Sequence, residues 1–203
     1  EEPSVVAAVS SISKLLAPYG ISAKATDCQM IGQVHLPDLD PSECIEIEKK
    51  EKVIIKMLNE ECKSMVERGG GVKQIDLRKL RSNDRGRSSY SLDIVVDVCD
   101  AMGANIINTL SEKAKEIVSN MGFKVGISIL SNYCIRRKAV SSFKMPVEAL
   151  SWKGIQGLEV AQRIVECYQF AKDDKFRAVT HNKGIMNGVD AVCLATGQDW
   201  RAV

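Results

Sequence analysis

The sequence has no CxxC pair among its seven cysteines (Cys28, Cys44, Cys62, Cys99, Cys134, Cys167 and Cys193), no GxGxxG turn, no surplus of one charge and only two histidines. Each absence narrows the function. Scattered thiols, odd in number and without metal-ligand spacing, point to a reduced, cytoplasmic setting rather than a disulfide framework. His35 and His181 without clustered cysteines give a zinc site little support, so no metal is expected. The 28 basic and 26 acidic side chains leave a net charge of +2. Nothing global therefore draws the chain to nucleic acid or to an anionic membrane, and an anionic ligand must be met by a local site. No apolar run approaches the ~20 residues needed to span a bilayer, and no signal-peptide pattern opens the chain, so a soluble protein is expected. A dinucleotide, if bound, is held without the Rossmann fingerprint.

What is present is the composition of an ordinary globular protein, with 45% apolar and 27% charged residues over 203 positions. That length allows one large domain or two small ones. The chain opens without Met on Glu1-Glu2-Pro3 and stops at Asp199-Trp200-Arg201-Ala202-Val203, which reads as a piece of a longer protein.

Pro3 and apolar Val5, Val6, Val9, Ile12, Leu15 and Leu16 predict a helix that ends near Pro18-Tyr19-Gly20. Thr26 to Leu36 reads as a strand. Pro41-Ser42-Glu43 opens a helix predicted to run through Arg68, with Ile54, Met57, Leu58, Cys62 and Met65 on one face and Gly69-Gly70-Gly71 as its stop. Val72 to Leu80 and Ser89 to Val98 read as strands on either side of a polar turn. A helix over Ala104 to Asn120 and a strand over Lys124 to Leu130 follow. The order βαββαβ implies two split βαβ units and an antiparallel sheet, the ferredoxin-like arrangement. After Arg136-Arg137-Lys138 helical character returns, with an apolar stripe of Leu158, Ala161, Ile164, Val165 and Tyr168 and an outer Glu159–Arg163 pair. A Gly-rich stretch from Thr180 to Gly188 precedes a helix-like run from Val189 to Ala195. The fold class is thus α+β, a small βαββαβ module inserted into a larger, mainly helical α+β domain that is only partly present.

Four segments can carry chemistry. Asp97-Val98-Cys99-Asp100-Ala101-Met102-Gly103-Ala104-Asn105 runs from a buried strand through a Gly turn into a helix. Unpaired amides and the positive dipole end there suit a phosphate, and the bland alternative is a turn capped by Asp100. In Thr180-His181-Asn182-Lys183-Gly184-Ile185-Met186-Asn187-Gly188 the lysine stands among glycine and amide side chains. It suits stabilisation of a developing oxyanion, and the alternative is an exposed lysine in a loop. Asp199 beside Trp200 is a helix cap or a catalytic carboxylate. Glu1-Glu2-Pro3-Ser4 lies at a helix start, where capping alone accounts for it.

Together the segments Glu1-Glu2-Pro3-Ser4-Val5-Val6-Ala7-Ala8, Asp100-Ala101-Met102-Gly103-Ala104-Asn105, Thr180-His181-Asn182-Lys183-Gly184-Ile185-Met186-Asn187-Gly188 and Gly197-Gln198-Asp199-Trp200-Arg201-Ala202 resemble hydroxymethylglutaryl-coenzyme A reductase, in the form of its soluble class II branch. The resemblance implies roles position by position. Glu2, Lys183 and Asp199 match the catalytic acid, cationic stabiliser and carboxylate. Ser4, Arg177 and Asn187 match residues that hold the hydroxymethylglutaryl group. Asp100, Met102, Gly103, Ala104 and Asn105 match the cofactor loop, and Asn132 lies where the family contacts cofactor or substrate. The family's flap histidine has no counterpart here, and neither His35 nor His181 takes its role.

The domains implied are residues 1–24 as the start of a substrate-binding domain, 25–135 as an inserted NAD(P)-binding domain and 136–203 as the continuation of the first. Reduction of the acyl thioester to mevalonate and coenzyme A with two NADH or NADPH, or the reverse, is the implied reaction. A homodimer or higher homo-oligomer is the implied assembly.

Two other readings compete with it. A non-catalytic ferredoxin-like module for RNA or a small ligand would display aromatic side chains on its central strands, where the sequence offers only Tyr90. A different nicotinamide oxidoreductase would keep the Asp100–Asn105 loop without reason to keep Lys183 and Asp199 in these contexts. Arg78, Lys79, Arg81, Arg85 and Arg87 could meet a 2′-phosphate, although a solvated basic loop explains them as well.

Overall fold

A computed structural model describes residues 3–82 and 87–200. The chain divides into two compact units, one formed by residues up to 24 and from 140 onward, the other by residues 25–139. In chain order the elements are α1 (Pro3–Leu16), β1 (Ser22–Ala25), β2 (Gln29–Leu39), α2 (Pro41–Lys49), α3 (Glu51–Glu61), α4 (Lys63–Glu67), β3 (Gly71–Ser82), β4 (Ser88–Asp97), α5 (Ala104–Asn120), β5 (Ser128–Ser131), β6 (Ala139–Ser142), α6 (Gly157–Asp173) and α7 (Lys175–Ala195).

The unit of residues 25–139 is a four-stranded antiparallel sheet in the order β3-β4-β2-β5 with helices on one face, so the chain is a mixed α/β structure with antiparallel pairing. Period-two alternation sorts its side chains. Val34 and Leu36 of β2 and Leu92, Ile94 and Val96 of β4 are buried together with Ile54 and Leu58 of α3 and Ile107, Leu110, Ala114 and Val118 of α5. On the opposite face the polar positions bond to one another. Asp93 accepts from Gln33 Nε2 at 2.9 Å and Arg78 Nε at 2.8 Å, and also from the Ser91 hydroxyl. Leu110 has no solvent exposure. Leu110→Ala is expected to cost about 3 kcal/mol, because the lost transfer free energy is joined by a cavity that a packed core only partly closes. Urea unfolding read as a change in midpoint checks this.

The predicted helix from Pro41 to Arg68 is three helices, interrupted at Lys50 and Cys62. Ile47, Ile54, Leu58, Cys62 and Met65 remain buried through both interruptions, so one apolar stripe crosses them and periodicity does not register the breaks. Likewise, the strand predicted over Lys124 to Leu130 is regular only from Ser128. Gly126 N donates to His35 O at 2.7 Å and His35 N to Ile127 O at 2.9 Å, so the chain already runs beside β2 before the ladder begins. A Cβ on Gly126 would lie 2.7 Å from His35 Nδ1, which crowds that approach.

α2 begins on a capping box. Ser42 N and Glu43 N donate to Asp40 Oδ1 at 2.8 and 3.0 Å, and Asp40 N donates to Glu43 Oε2 at 2.7 Å. Arg87 gathers the same carboxylates, with Nε 2.8 Å from Asp38 Oδ1, Nη1 3.3 Å from Asp40 Oδ2 and Nη2 2.8 Å from Glu43 Oε2. The Ser42 hydroxyl, then the Glu43 amide, hold the Asp40 carboxyl below the ordinary range, with Arg87 adding to the effect. A depressed carboxyl stabilises the fold above its unfolded pKa, and that contribution fades as pH falls through the native value. The difference in Tm between the parent protein and Asp40→Ala is therefore expected to be full at neutral pH and to close on acidification below about pH 4.

Arg87 is thus paired with three acids, and Arg78 is bonded to Asp93. Arg85 lies outside the described residues. These arginines stand at or toward the β3–β4 hairpin, whereas Gly71 pairs with Asp97 at the other end of the same strands. Arg78 pairs with Ser91, six strand residues or about 20 Å from Asp97, and Arg81 pairs with Ser89, eight residues or about 26 Å from it.

In the other unit α1 packs on α7, and α6 packs on α7 and on a short 3₁₀ turn at Val147–Leu150. The apolar positions of α6 chosen from periodicity are largely exposed, with Leu158, Ile164, Val165 and Tyr168 each more than half accessible. β1 and β6 form a separate two-stranded sheet, which was not predicted. Beside it Thr26 N donates to Lys138 O at 2.9 Å and Lys138 N donates to Thr26 Oγ1 at 2.8 Å. Among the described residues no helix is long and apolar enough to cross a membrane, and no group of three or more His, Cys, Asp or Glu could hold a metal ion.

Candidate functional site

The Gly-rich stretch from Thr180 to Gly188 is helical. α7 continues unbroken from Lys175 to Ala195, starting on Asp174, whose side chain accepts from Arg177 N at 2.7 Å. Two glycines in a helix disfavour it by about 1 kcal/mol each relative to alanine, a weak preference that packing along the rest of the helix overrides. A Cβ at Gly184 or Gly188 would meet nothing within 4 Å, so these glycines leave space beside α1. The result is a trough between α1 and α7. One part, about 460 Å³, is lined by Val5, Val6, Lys183, Asn187, Asp190 and Leu194 among others. A neighbouring part, about 440 Å³, is lined by Ser4, Val5, Ala8, Ile12, Asn187 and Gly188 among others.

Lys183 and Asn187 line one part and Ser4 and Asn187 the other, and the two parts have Val5 and Asn187 in common. Lys183 forms no ion pair or hydrogen bond with any described residue. Lys183 is exposed, as the alternative reading had it, and its ammonium is available to a ligand beside the apolar Val5, Val6 and Leu194. Asp190 is the member that sequence reading missed. Lys183, Asn187, Asp190, Ala191 and Leu194 follow the i, i+4, i+7, i+8, i+11 spacing of one helix face. That signal becomes visible only when the glycine-containing stretch is read as helix.

Arg177 sits in the first turn of α7, half-buried, and does not line the trough. Asp199 is exposed beyond the far end of α7. Gln198 N donates to Cys193 O at 2.8 Å, so the chain turns back at the end of α7, and Cys193 stands ten helical residues, about 15 Å, from Lys183. Glu2 lies outside the described residues.

In the other unit, Asp100, Met102, Gly103, Ala104 and Asn105 form the junction of β4 and α5. The residue at the helix start is Gly103, in the left-handed region at φ 93°, and no side chain caps the helix. Asp100 instead faces Arg68 at 3.4 Å, so the turn is not capped by Asp100. A Cβ on residue 103 would lie 2.7 Å from Met30 Sδ and 2.9 Å from Val98 Cγ1. Only glycine supplies both the φ and the space. The amides of Met102 and Gly103 donate to no acceptor among the described residues, and the first turn of α5 adds amides that have no intrahelical partner. Asn132 follows β5, which runs parallel to β4 because both pair antiparallel with β2. Ile31 faces Ser131 and Gln29 faces Asp97, so Asn132 and the Asp100–Asn105 junction emerge at the same end of the sheet.

A family model described as hydroxymethylglutaryl-coenzyme A reductase matches residues 1–203. The chain is 37% identical over 207 residues to 3-hydroxy-3-methylglutaryl-coenzyme A reductase of Archaeoglobus fulgidus, covering 100% of this chain and 46% of that protein. It is 32% identical over 212 residues to the probable enzyme of that name from Borreliella burgdorferi, again covering 100% and 46%. The chain therefore spans about half the length of the curated relatives it matches. Among solved structures, the class II 3-hydroxy-3-methylglutaryl-CoA reductase of Streptococcus pneumoniae bound to NADPH superposes with a TM-score of 0.87 at 37% identity, covering 100% of this chain and 55% of that one. A second structure of the Streptococcus pneumoniae enzyme gives 0.87 at 36% identity with the same coverage. With a match from end to end, this chain belongs to the hydroxymethylglutaryl-coenzyme A reductase family.

Proposed function

We propose that the protein to which this chain belongs reduces 3-hydroxy-3-methylglutaryl-CoA to mevalonate, consuming two NAD(P)H and two protons and releasing coenzyme A. The observation that carries the reading is that the cavity lined by Lys183 and Asn187 and the cavity lined by Ser4 and Asn187 adjoin between α1 and α7, with Val5 and Asn187 in both. Residues 25–135 act as the cofactor domain. Their order βαββαβ and sheet order β3-β4-β2-β5 support a ferredoxin-like fold. The flanks 1–24 and 136–203 act as the substrate domain. A homodimer and a cytoplasmic setting complete the reading.

The junction residues suit a dinucleotide. Met102 and Gly103 present amides with no acceptor among the described residues, and Gly103 lets a ligand approach the backbone. Asp100, Ala104, Asn105 and Asn132 complete that end of the sheet. When bound, the nicotinamide supplies hydride to the thioester carbonyl and then to the aldehyde left after coenzyme A departs. At each step negative charge grows on the carbonyl oxygen. Lys183 stabilises it and Glu2 delivers a proton to it. Asp199 is the second catalytic carboxylate and completes the set with Glu2 and the Lys183 ammonium. Ser4, Arg177 and Asn187 hold the hydroxymethylglutaryl group.

The non-catalytic RNA-binding alternative has less support, because the outward positions of the two central strands, Gln33, His35, Ser91 and Asp93, carry no aromatic platform for bases. The deciding measurement is oxidation of NADPH and of NADH by the full-length protein with and without hydroxymethylglutaryl-CoA. Turnover that depends on the thioester is expected; no dependence with either nucleotide refutes the reading.

A further inference from the structure

We infer that Arg137 is a positioning residue for the cofactor junction, an inference that rests on the dinucleotide reading of that junction. Arg137 follows β5 by several residues and stands just before β6, outside the segment that sequence reading assigned to the cofactor. Its Nη1 donates to Met102 O at 3.1 Å and its Nη2 to Ala101 O at 3.4 Å. Nη1 also lies 3.5 Å from Met30 Sδ, the atom that a Cβ on residue 103 would strike. One planar guanidinium thus holds two successive carbonyls and packs on the side chain beneath Gly103.

The consequence follows from peptide geometry. In a trans peptide the C=O and the N–H lie in one plane and point in opposite directions. Fixing Ala101 O toward Arg137 turns Met102 N–H away from it, and fixing Met102 O turns Gly103 N–H away. These are the two amides without a protein acceptor among the described residues. Arg137 therefore sets the direction of two donors that precede the unpaired amides of α5, and so preorganises a run of donors for the oxygens of a pyrophosphate. Its guanidinium remains charged and half-buried, and it adds a fixed positive charge behind the junction. The neighbouring Thr26–Lys138 pair of hydrogen bonds, at 2.9 and 2.8 Å, anchors the backbone that carries it.

A lysine can keep the charge and reach one carbonyl, but it cannot fork across two. The test uses the full-length protein with Arg137→Met and Arg137→Lys. NADPH and NADH binding is measured by the fluorescence of the reduced nucleotide, with amide hydrogen exchange at residues 102–105, Tm and the KM for hydroxymethylglutaryl-CoA read in parallel.

For Arg137→Met, dinucleotide affinity is expected to fall about tenfold or more and exchange at 102–105 to quicken similarly. The thioester KM should stay within about twofold and Tm near the parent value, and Arg137→Lys should recover part of the lost affinity. Unchanged affinity and exchange in Arg137→Met overturn the proposal. So does an affinity loss that tracks a lowered Tm with no recovery in Arg137→Lys, which would mark a merely structural residue. If the parent protein binds neither nucleotide, the dinucleotide reading itself fails, while the exchange comparison still decides whether Arg137 orders the junction.

Discussion

Lys183→Met is expected to lower kcat for hydroxymethylglutaryl-CoA-dependent oxidation of NAD(P)H by about 10²- to 10³-fold, the usual cost of losing one preorganised donor to a developing oxyanion. Methionine keeps most of the side chain's length and apolar stem, so the trough between α1 and α7 should keep its shape. The lysine has no ion pair or hydrogen bond with a described residue. Its removal therefore leaves no partner buried and unpaired, and Tm should hold. Steady-state kinetics beside a direct measurement of nucleotide affinity separates the possibilities. A fall in kcat with unchanged nucleotide affinity supports an electrostatic role in the chemical step. A variant with kcat within twofold of the parent removes Lys183 from the mechanism.

Gly103→Val is expected to be the most damaging change in the other unit. It places a β-branched residue at φ 93°, which costs about 1–3 kcal/mol in backbone strain alone. Its Cβ would also lie 2.9 Å from Val98 Cγ1. Met30 can swing its thioether aside, but Val98 is fully buried and stiff about χ1, so the backbone must yield. The expected result is a loss of at least about 2 kcal/mol in denaturant unfolding. Nucleotide affinity should fall beyond detection even where the variant is still folded. Normal nucleotide binding by Gly103→Val would show that the junction is not where the cofactor phosphates sit.

Much of the insert was legible because its signals are local and agree with one another. Ser89 to Val98 reads as a strand, and β4 spans Ser88–Asp97. Ala104 to Asn120 reads as a helix, and α5 has those bounds. Alternation on β4 and the stripe on α5 arise from one buried seam, which is why periodicity finds both. What escaped is what tertiary packing decides. Gly184 and Gly188 argue for a loop on intrinsic preference, yet the stretch lies inside a helix of 21 residues. Starting the helix-like run only at Val189 hid Asp190, whose place on the Lys183 face depends on unbroken helical spacing. The exposed stripe of α6 shows the reverse failure. Periodicity there identifies an apolar face correctly but says nothing of whether the neighbour that would cover it lies within these residues.

The pairing of β1 with β6, reinforced by Thr26 and Lys138, brings the two ends of the inserted unit to adjacent strands, about 5 Å apart. A segment whose entry and exit are stitched side by side can be lengthened, shortened or exchanged between relatives without opening a gap in its host. The unit of residues 25–139 is thus joined to its host through one pair of neighbouring strands.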